Sequence, residues 1–122
     1  TVIVIMEGVS MYLTHAELIE LFTQITSKYS RVQVLADFYT SFAAKASKYK
    51  NPINEVGVTV VHGIDDPRSL ESSTNLLYLK EHDITPDYMI DQLSGIEHFI
   101  FKKLFAGHFA KKMYRLFEFC SN

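Results

Sequence analysis

Five consecutive apolar residues, Val2-Ile3-Val4-Ile5-Met6, running into Glu7-Gly8, constrain this chain more than any other stretch. A strand wetted on one face alternates apolar and polar side chains, and this one does not. It therefore predicts a strand covered on both faces, as in a parallel sheet. Glu7 falls at its C-terminal end, where open α/β sheets bind their ligands. Gly8 next to it permits close approach of another backbone or of a ligand. No initiator Met and no helix precede the run, whereas a central parallel strand needs neighbours on both sides. The expectation is that residues 1–122 are the C-terminal part of one larger domain.

The pattern after this run is strand–helix–strand. Thr14 and Glu17 form a T-x-x-E capping box, with Leu13 and Leu18 placed as a hydrophobic staple. Leu18, Leu21, Phe22, Ile25 and Tyr29 share one helical face, and Lys28 suits the helix C-terminus. Ser30 and Arg31 make the turn into a second strand, Val32–Tyr39. A connection of this length fits a right-handed parallel crossover. A short helix is predicted from Ser41 to Tyr49, with Phe42, Ala46 and Tyr49 on one side, ended by Lys50-Asn51-Pro52. Ile53–Ile64 is open between strand, helix and irregular chain. Asp65-Asp66-Pro67 reads as a helix start, and that helix is expected to continue to Glu81 or His82 with Leu70 and Leu77 inward. Ile84–Leu93 is ambiguous, and Ile96–Phe105 is predicted helical. Lys112–Cys120 reads as a terminal strand at or near a sheet edge, because Lys112, Arg115 and Glu118 alternate with Met113, Leu116 and Phe117.

Composition narrows the class. Apolar residues make up 48% of the 122 residues, enough for a packed core. A formal net charge of −2 gives no electrostatic reason to expect nucleic acid or an anionic membrane as partner. No apolar run reaches the ~20 residues of a membrane span. The single cysteine, Cys120, cannot form an internal disulfide, which fits a reducing, cytoplasmic setting. His98 and His108 have no third ligand at a suitable spacing, so no metal site is expected.

At Glu7-Gly8-Val9-Ser10-Met11-Tyr12-Leu13, followed by Thr14-His15-Ala16-Glu17, the chain resembles the E-G-x-x-x-Y-L segment of the leucine carboxyl methyltransferase superfamily. That superfamily includes bacterial relatives assigned to polyketide O-methylation of the tetracenomycin-synthesis type. Gly63-Ile64-Asp65-Asp66-Pro67-Arg68-Ser69-Leu70-Glu71 is similar to a second block of those bacterial proteins. The resemblance implies an α/β fold, the C-terminal half of a Rossmann-like class I methyltransferase sheet. Val2–Met6 would be its fourth strand and Val32–Tyr39 its fifth, with the final strand inserted antiparallel. It also implies S-adenosylmethionine as cofactor and a small molecule, polyketide-like, or a carboxylate as methyl acceptor. The family's glycine-rich loop has no counterpart here, since the five glycines are isolated and no G-x-G occurs. The acidic residue that binds the cofactor ribose is also absent. The N-terminal cofactor-binding half is thus missing from these residues, and the chain by itself is expected to be inactive.

The resemblance carries cofactor contact to Glu7; the residue alone would equally serve as a turn acceptor or helix cap. Met11 and Tyr12 either line the substrate pocket or belong to the core. Asp37 and Tyr39, at the same end of the second strand, either touch substrate or close strand-end hydrogen bonds. His62 is the one candidate general base, because histidine titrates near neutrality and a hydroxyl acceptor must lose a proton. A lone histidine in an unassigned segment is more often structural, and a carboxylate acceptor needs no base. His15, Asp65, Asp66 and Arg68 read as helix-start residues. The competing reading is a non-catalytic binding or dimerisation module. The edge of the strand at residues 2–6 would offer unpaired backbone groups to another chain, making a homo-oligomer through that edge the expected partner.

Overall fold

The computed structural model describes residues 1–46, 60–84, 88, 91–97, 99 and 113–122. They form a mixed α/β structure on an open, four-stranded mixed sheet. In chain order the elements are β1 (Val2–Met6), α1 (His15–Lys28), β2 (Val32–Tyr39), α2 (Ser41–Ala46), β3 (Leu76–His82) and β4 (Tyr114–Ser121). Short 3-10 turns occupy Ser10–Tyr12 and Pro67–Leu70. The strand order is β1-β2-β4-β3. β1 and β2 are parallel, with Val2 opposite Val32 and Met6 opposite Ala36. β4 runs antiparallel to both of its neighbours, β2 and β3.

The local signals of α1 act as the sequence indicates. Thr14 Oγ1 accepts from the Glu17 N–H at 3.2 Å, and Glu17 Oε2 accepts from the Thr14 N–H at 2.7 Å. Two backbone donors that a helix start leaves unpaired are thereby satisfied. Leu18 and Phe22 are buried, and Leu13, Ile19, Leu21 and Ile25 pack around them. Tyr29 is the C-cap and is exposed, one turn past the inward stripe.

The core lies on one face of the sheet. Val32, Val34, Ala36 and Phe38 of β2, Leu76 of β3, and Phe117 and Phe119 of β4 point to it, and α1 covers it. Phe119 sits at its centre, 6.5 Å from Phe22, 6.4 Å from Phe38 and 5.9 Å from Tyr78 between ring centroids. Full burial of each of these phenylalanines stabilises the fold by about 1.5–3 kcal/mol. Arg115 closes the same face: its Nε and Nη2 donate to both carboxylate oxygens of Glu81 on β3, at 3.0 and 2.8 Å. Its guanidinium carbon lies 4.7 Å from the Phe117 ring centroid.

Several expectations are corrected. β1 is not covered on both faces: Ile3 and Ile5 are 66% and 71% exposed, while Val4 and Met6 pack on the core. No described element lies over the face that Ile3 and Ile5 occupy. The helix expected through Glu81 or His82 ends after the 3-10 turn at Leu70, and β3 follows instead. Asp66 caps that turn by accepting from the Arg68 N–H at 2.9 Å. The polar run Ser72–Asn75 then stops it, with Thr74 Oγ1 donating to the Leu70 carbonyl and accepting from the Leu76 N–H. β4 lies near an edge, beside the edge strand β3, but not at it, and its charged residues have cross-strand partners: Arg115 has Glu81, and Glu118 has His82 and Gln33. In α2 it is Ala43 and Ala44 that are buried, while Phe42 is exposed. The stretches Ile53–Ile64, Ile84–Leu93 and Ile96–Phe105, and the C-terminal part of the predicted helix Ser41–Tyr49, lie partly outside the described residues, as do His98 and His108 entirely.

Residues 62–64 run against the ends of two elements. The His62 N–H donates to the Met11 carbonyl and the Ile64 N–H to the Tyr39 carbonyl, each at 2.8 Å. Gly63 lies between them so close to the chain that an added Cβ would stand 2.4 Å from the Thr40 carbonyl oxygen. Backbone on both sides leaves no flexible side chain to give way. Gly63→Ala is expected to destabilise the protein by roughly 1–3 kcal/mol through forced displacement of this contact. Urea unfolding checks it; an unchanged midpoint at unchanged slope would contradict it.

Candidate functional site

β1 and β2 both end, in parallel, on the side of the sheet where Glu7 and Asp37 stand. The antiparallel β4 begins there, bringing Tyr114 opposite Tyr39. Side chains of one face alternate along a strand, so Asp37, Tyr39 and Tyr114 fall together on the face carrying Ile5 and Leu35. A cavity of about 220 Å³ opens at this place, lined by Ile5, Met6, Glu7, Leu35, Asp37, Ile84, Tyr114 and Leu116.

Asp37 is the structural centre of the site. It is 4% exposed, and both its carboxylate oxygens accept from the Gly8 N–H, at 3.0 and 2.9 Å. Its Oδ2 also accepts from the Tyr114 hydroxyl. Its backbone carbonyl accepts from the Ser10 hydroxyl. Gly8 has φ +66°, in the left-handed region that glycine enters without a Cβ clash. The turn after β1 is thus pinned to the end of β2 by one carboxylate. Burial, then the hydrogen bond to Asp37 and its negative charge, push the Tyr114 hydroxyl well above the ordinary tyrosine range.

The candidate residues separate on this geometry. Glu7 lines the cavity and is exposed, without a hydrogen bond to its carboxylate among the described residues. Asp37 lines it too, but its oxygens are spent on Gly8 and Tyr114, the strand-end alternative. Tyr39 packs edge-on against Tyr114 with ring centroids 5.6 Å apart and does not line the cavity. Met11 is buried, and Tyr12 is exposed beside it in the 3-10 turn; neither lines the cavity. His62 is half-buried next to Met11 and is likewise not brought to the cavity. Asp65 accepts from the Ser41 N–H at 2.9 Å and from its hydroxyl at 2.6 Å, capping α2. Those bonds hold its carboxyl below the usual range.

Tyr114 and Ser10 were not among the candidates, and Gly8 was read only as a place of close approach. Tyr114 was findable: a final strand that runs antiparallel beside β2 must begin where β2 ends. Among the described residues no group of three or more His, Cys, Asp or Glu is placed to hold a metal ion. No described helix is long and apolar enough to cross a membrane. The chain matches no family model, no curated protein and no solved structure.

The Asp37–Tyr114 bond has a measurable consequence. A tyrosine whose pKa is raised in the folded state contributes stability that is complete below its unfolded pKa, about 10. That contribution is lost as pH rises further, towards the folded-state value. Spectrophotometric titration is expected to show a tyrosine ionisation well above the ordinary range, with stability falling alongside. Tyr114→Phe should abolish that late step; a late step persisting in the variant would refute the assignment.

Proposed function

We propose that these residues carry the C-terminal part of a class I S-adenosylmethionine-dependent methyltransferase domain that methylates an oxygen of a small molecule or a carboxylate. The observation that carries the reading is the sheet. Two parallel strands, β1 and β2, lie beside a final antiparallel strand, β4. This is the arrangement implied by the resemblance at Glu7–Leu13 and Gly63–Glu71. The residue just before the second block, His62, donates its N–H to Met11 of the first.

The site's chemistry suits part of such a cofactor. An exposed carboxylate, Glu7, beside apolar walls matches a ligand that carries positive charge on an apolar frame. The 220 Å³ cavity is smaller than the ~300–1,000 Å³ of typical small-molecule pockets. It therefore accounts for one wall of such a binding site, and the family's glycine-rich wall has no counterpart in these residues. Bound S-adenosylmethionine would supply the methyl group from its sulfonium. Alignment of acceptor, carbon and sulfur supplies much of the rate in such a transfer. Glu7 acts in binding, and Asp37 and Tyr114 hold the turn that presents it. Of the described residues lining the cavity only Glu7 has a carboxylate free to take a proton, so a hydroxyl acceptor would compete with cofactor binding for it, whereas a carboxylate acceptor needs no base. Met11, Tyr12 and Tyr39 then support this region from outside the cavity, and His62 is left without a catalytic part.

The decisive measurement uses the protein extended by the sequence encoded upstream of Thr1. That protein should bind S-adenosylmethionine in calorimetry, and Glu7→Gln should weaken binding roughly tenfold or more, the worth of one charge-assisted hydrogen bond. The 122-residue chain alone should bind at least as poorly as that variant. Undiminished binding by Glu7→Gln, or micromolar binding by the isolated chain, would overturn this assignment of the site.

A further inference from the structure

We infer that β1 is a pairing edge for a second copy of this chain, joined antiparallel about Val4. The inference concerns these 122 residues by themselves, and it competes for the same edge with the sheet continuation that the proposed function implies.

Among the described residues the sheet has two edges, β1 and β3, and only β3 is defended. β3 carries a register shift between Tyr78 and Lys80, and Lys80 itself extends from it. A bulge and an edge lysine are two of the devices by which proteins discourage strand addition. β1 has neither. It has no charge, proline or irregularity over Val2–Met6, and Ile3 and Ile5 are its most exposed side chains.

Backbone direction follows from one bond. The Val2 N–H donates to the Arg31 carbonyl at 2.8 Å, and Val2, Val4 and Met6 lie opposite Val32, Val34 and Ala36. In a parallel ladder a residue's N–H and C=O point the same way. The even-numbered residues therefore face β2, and Ile3 and Ile5 present both groups outward. An antiparallel copy about Val4 sets Ile3 opposite the copy's Ile5, and Ile5 opposite its Ile3. Each of these is a pair of outward-facing residues, so both exchange N–H···O bonds in the normal antiparallel pattern. The isoleucine side chains meet across the seam on the open face, where β-branched pairs add stability. Glu7 meets Thr1 in this register and not another Glu7. A slip of two residues in one direction sets Glu7 against Ile3, and in the other it sets Ile5 against Thr1 and loses an isoleucine pair. The two-fold arrangement is closed, so it consumes both edges and stops at two copies.

Light scattering after size exclusion, over a concentration series of the 122-residue chain, should give a dimer mass at high concentration. Ile5→Pro removes an outward N–H and leaves the ladder to β2 intact, so it should shift the protein to monomer mass. Ile5→Lys, which keeps the backbone donor, should do the same, with circular dichroism verifying the fold of both. Register is read by oxidation in a Cys120→Ser background. Val4→Cys should cross-link two copies, because facing non-hydrogen-bonded residues lie ~4.5 Å apart at Cα, within disulfide reach. Ile3→Cys should not. A monomer throughout the series, or a dimer that survives both Ile5 variants, would overturn the inference. Cross-linking through Ile3→Cys in preference to Val4→Cys would overturn its register.

Discussion

The antiparallel pairing of β2 with β4 is the interaction on which the rest depends. It joins Gln33–Tyr39, in the first third of the chain, to Tyr114–Cys120 near residue 122. Closing so long a loop carries an entropic cost that grows only slowly with length. The return is concentrated. Val34 opposite Phe119 and Ala36 opposite Phe117 set the two rings under α1, and among the described strands β3 pairs only with β4. Without this ladder, β1, α1 and β2 would be a parallel unit with half a core. The same pairing places Tyr114 beside Asp37, so the core and the candidate site share one cause.

What could be read from the sequence was what short-range physics determines. The capping box of α1 lies within four residues and formed as expected. The apolar runs of β1 and β2 gave two strands and a parallel crossover. Failures came where longer-range contacts decide. Leu76–Leu79 is as apolar as a buried helix segment, and the bulge after Tyr78 breaks the period of two that marks a strand. The true signal was the Ser72–Asn75 polar run, whose side chains bond the chain on either side. In β4 the charges suggested exposure, yet Arg115 and Glu118 are an inner strand's residues because Glu81, His82 and Gln33 reach them. Sequence alone does not show which cross-strand partners a charge will find.

The candidate site shows the same division. A carboxylate at each strand end was legible from position. That one is committed and the other is left without a hydrogen bond among the described residues was not. Asp37 accepts three hydrogen bonds from Gly8 and Tyr114, so its role is to fix the path of the chain. Glu7 is presented by the turn that Asp37 fixes. A rigid support behind an exposed charge lowers the entropy lost when that charge engages a ligand. Gly8 serves both roles: its positive φ makes the turn, and its N–H anchors it.

The unprotected edge and the open face bear on both functional readings at once. The outward groups of Ile3 and Ile5 can pair with a single neighbouring strand. If Val2–Met6 is the fourth strand of a methyltransferase sheet, that neighbour belongs to the glycine-rich half. A second copy of the chain would use the same N–H and C=O groups, so the two associations exclude each other. They also leave Glu7 in different company. Self-pairing sets Glu7 beside the copy's Thr1, whereas the cofactor reading sets it at the wall facing the missing half. One feature, an edge of β-branched residues without a charge or bulge, therefore accounts for the association expected of the isolated chain. The same feature makes that association reversible by the rest of a sheet.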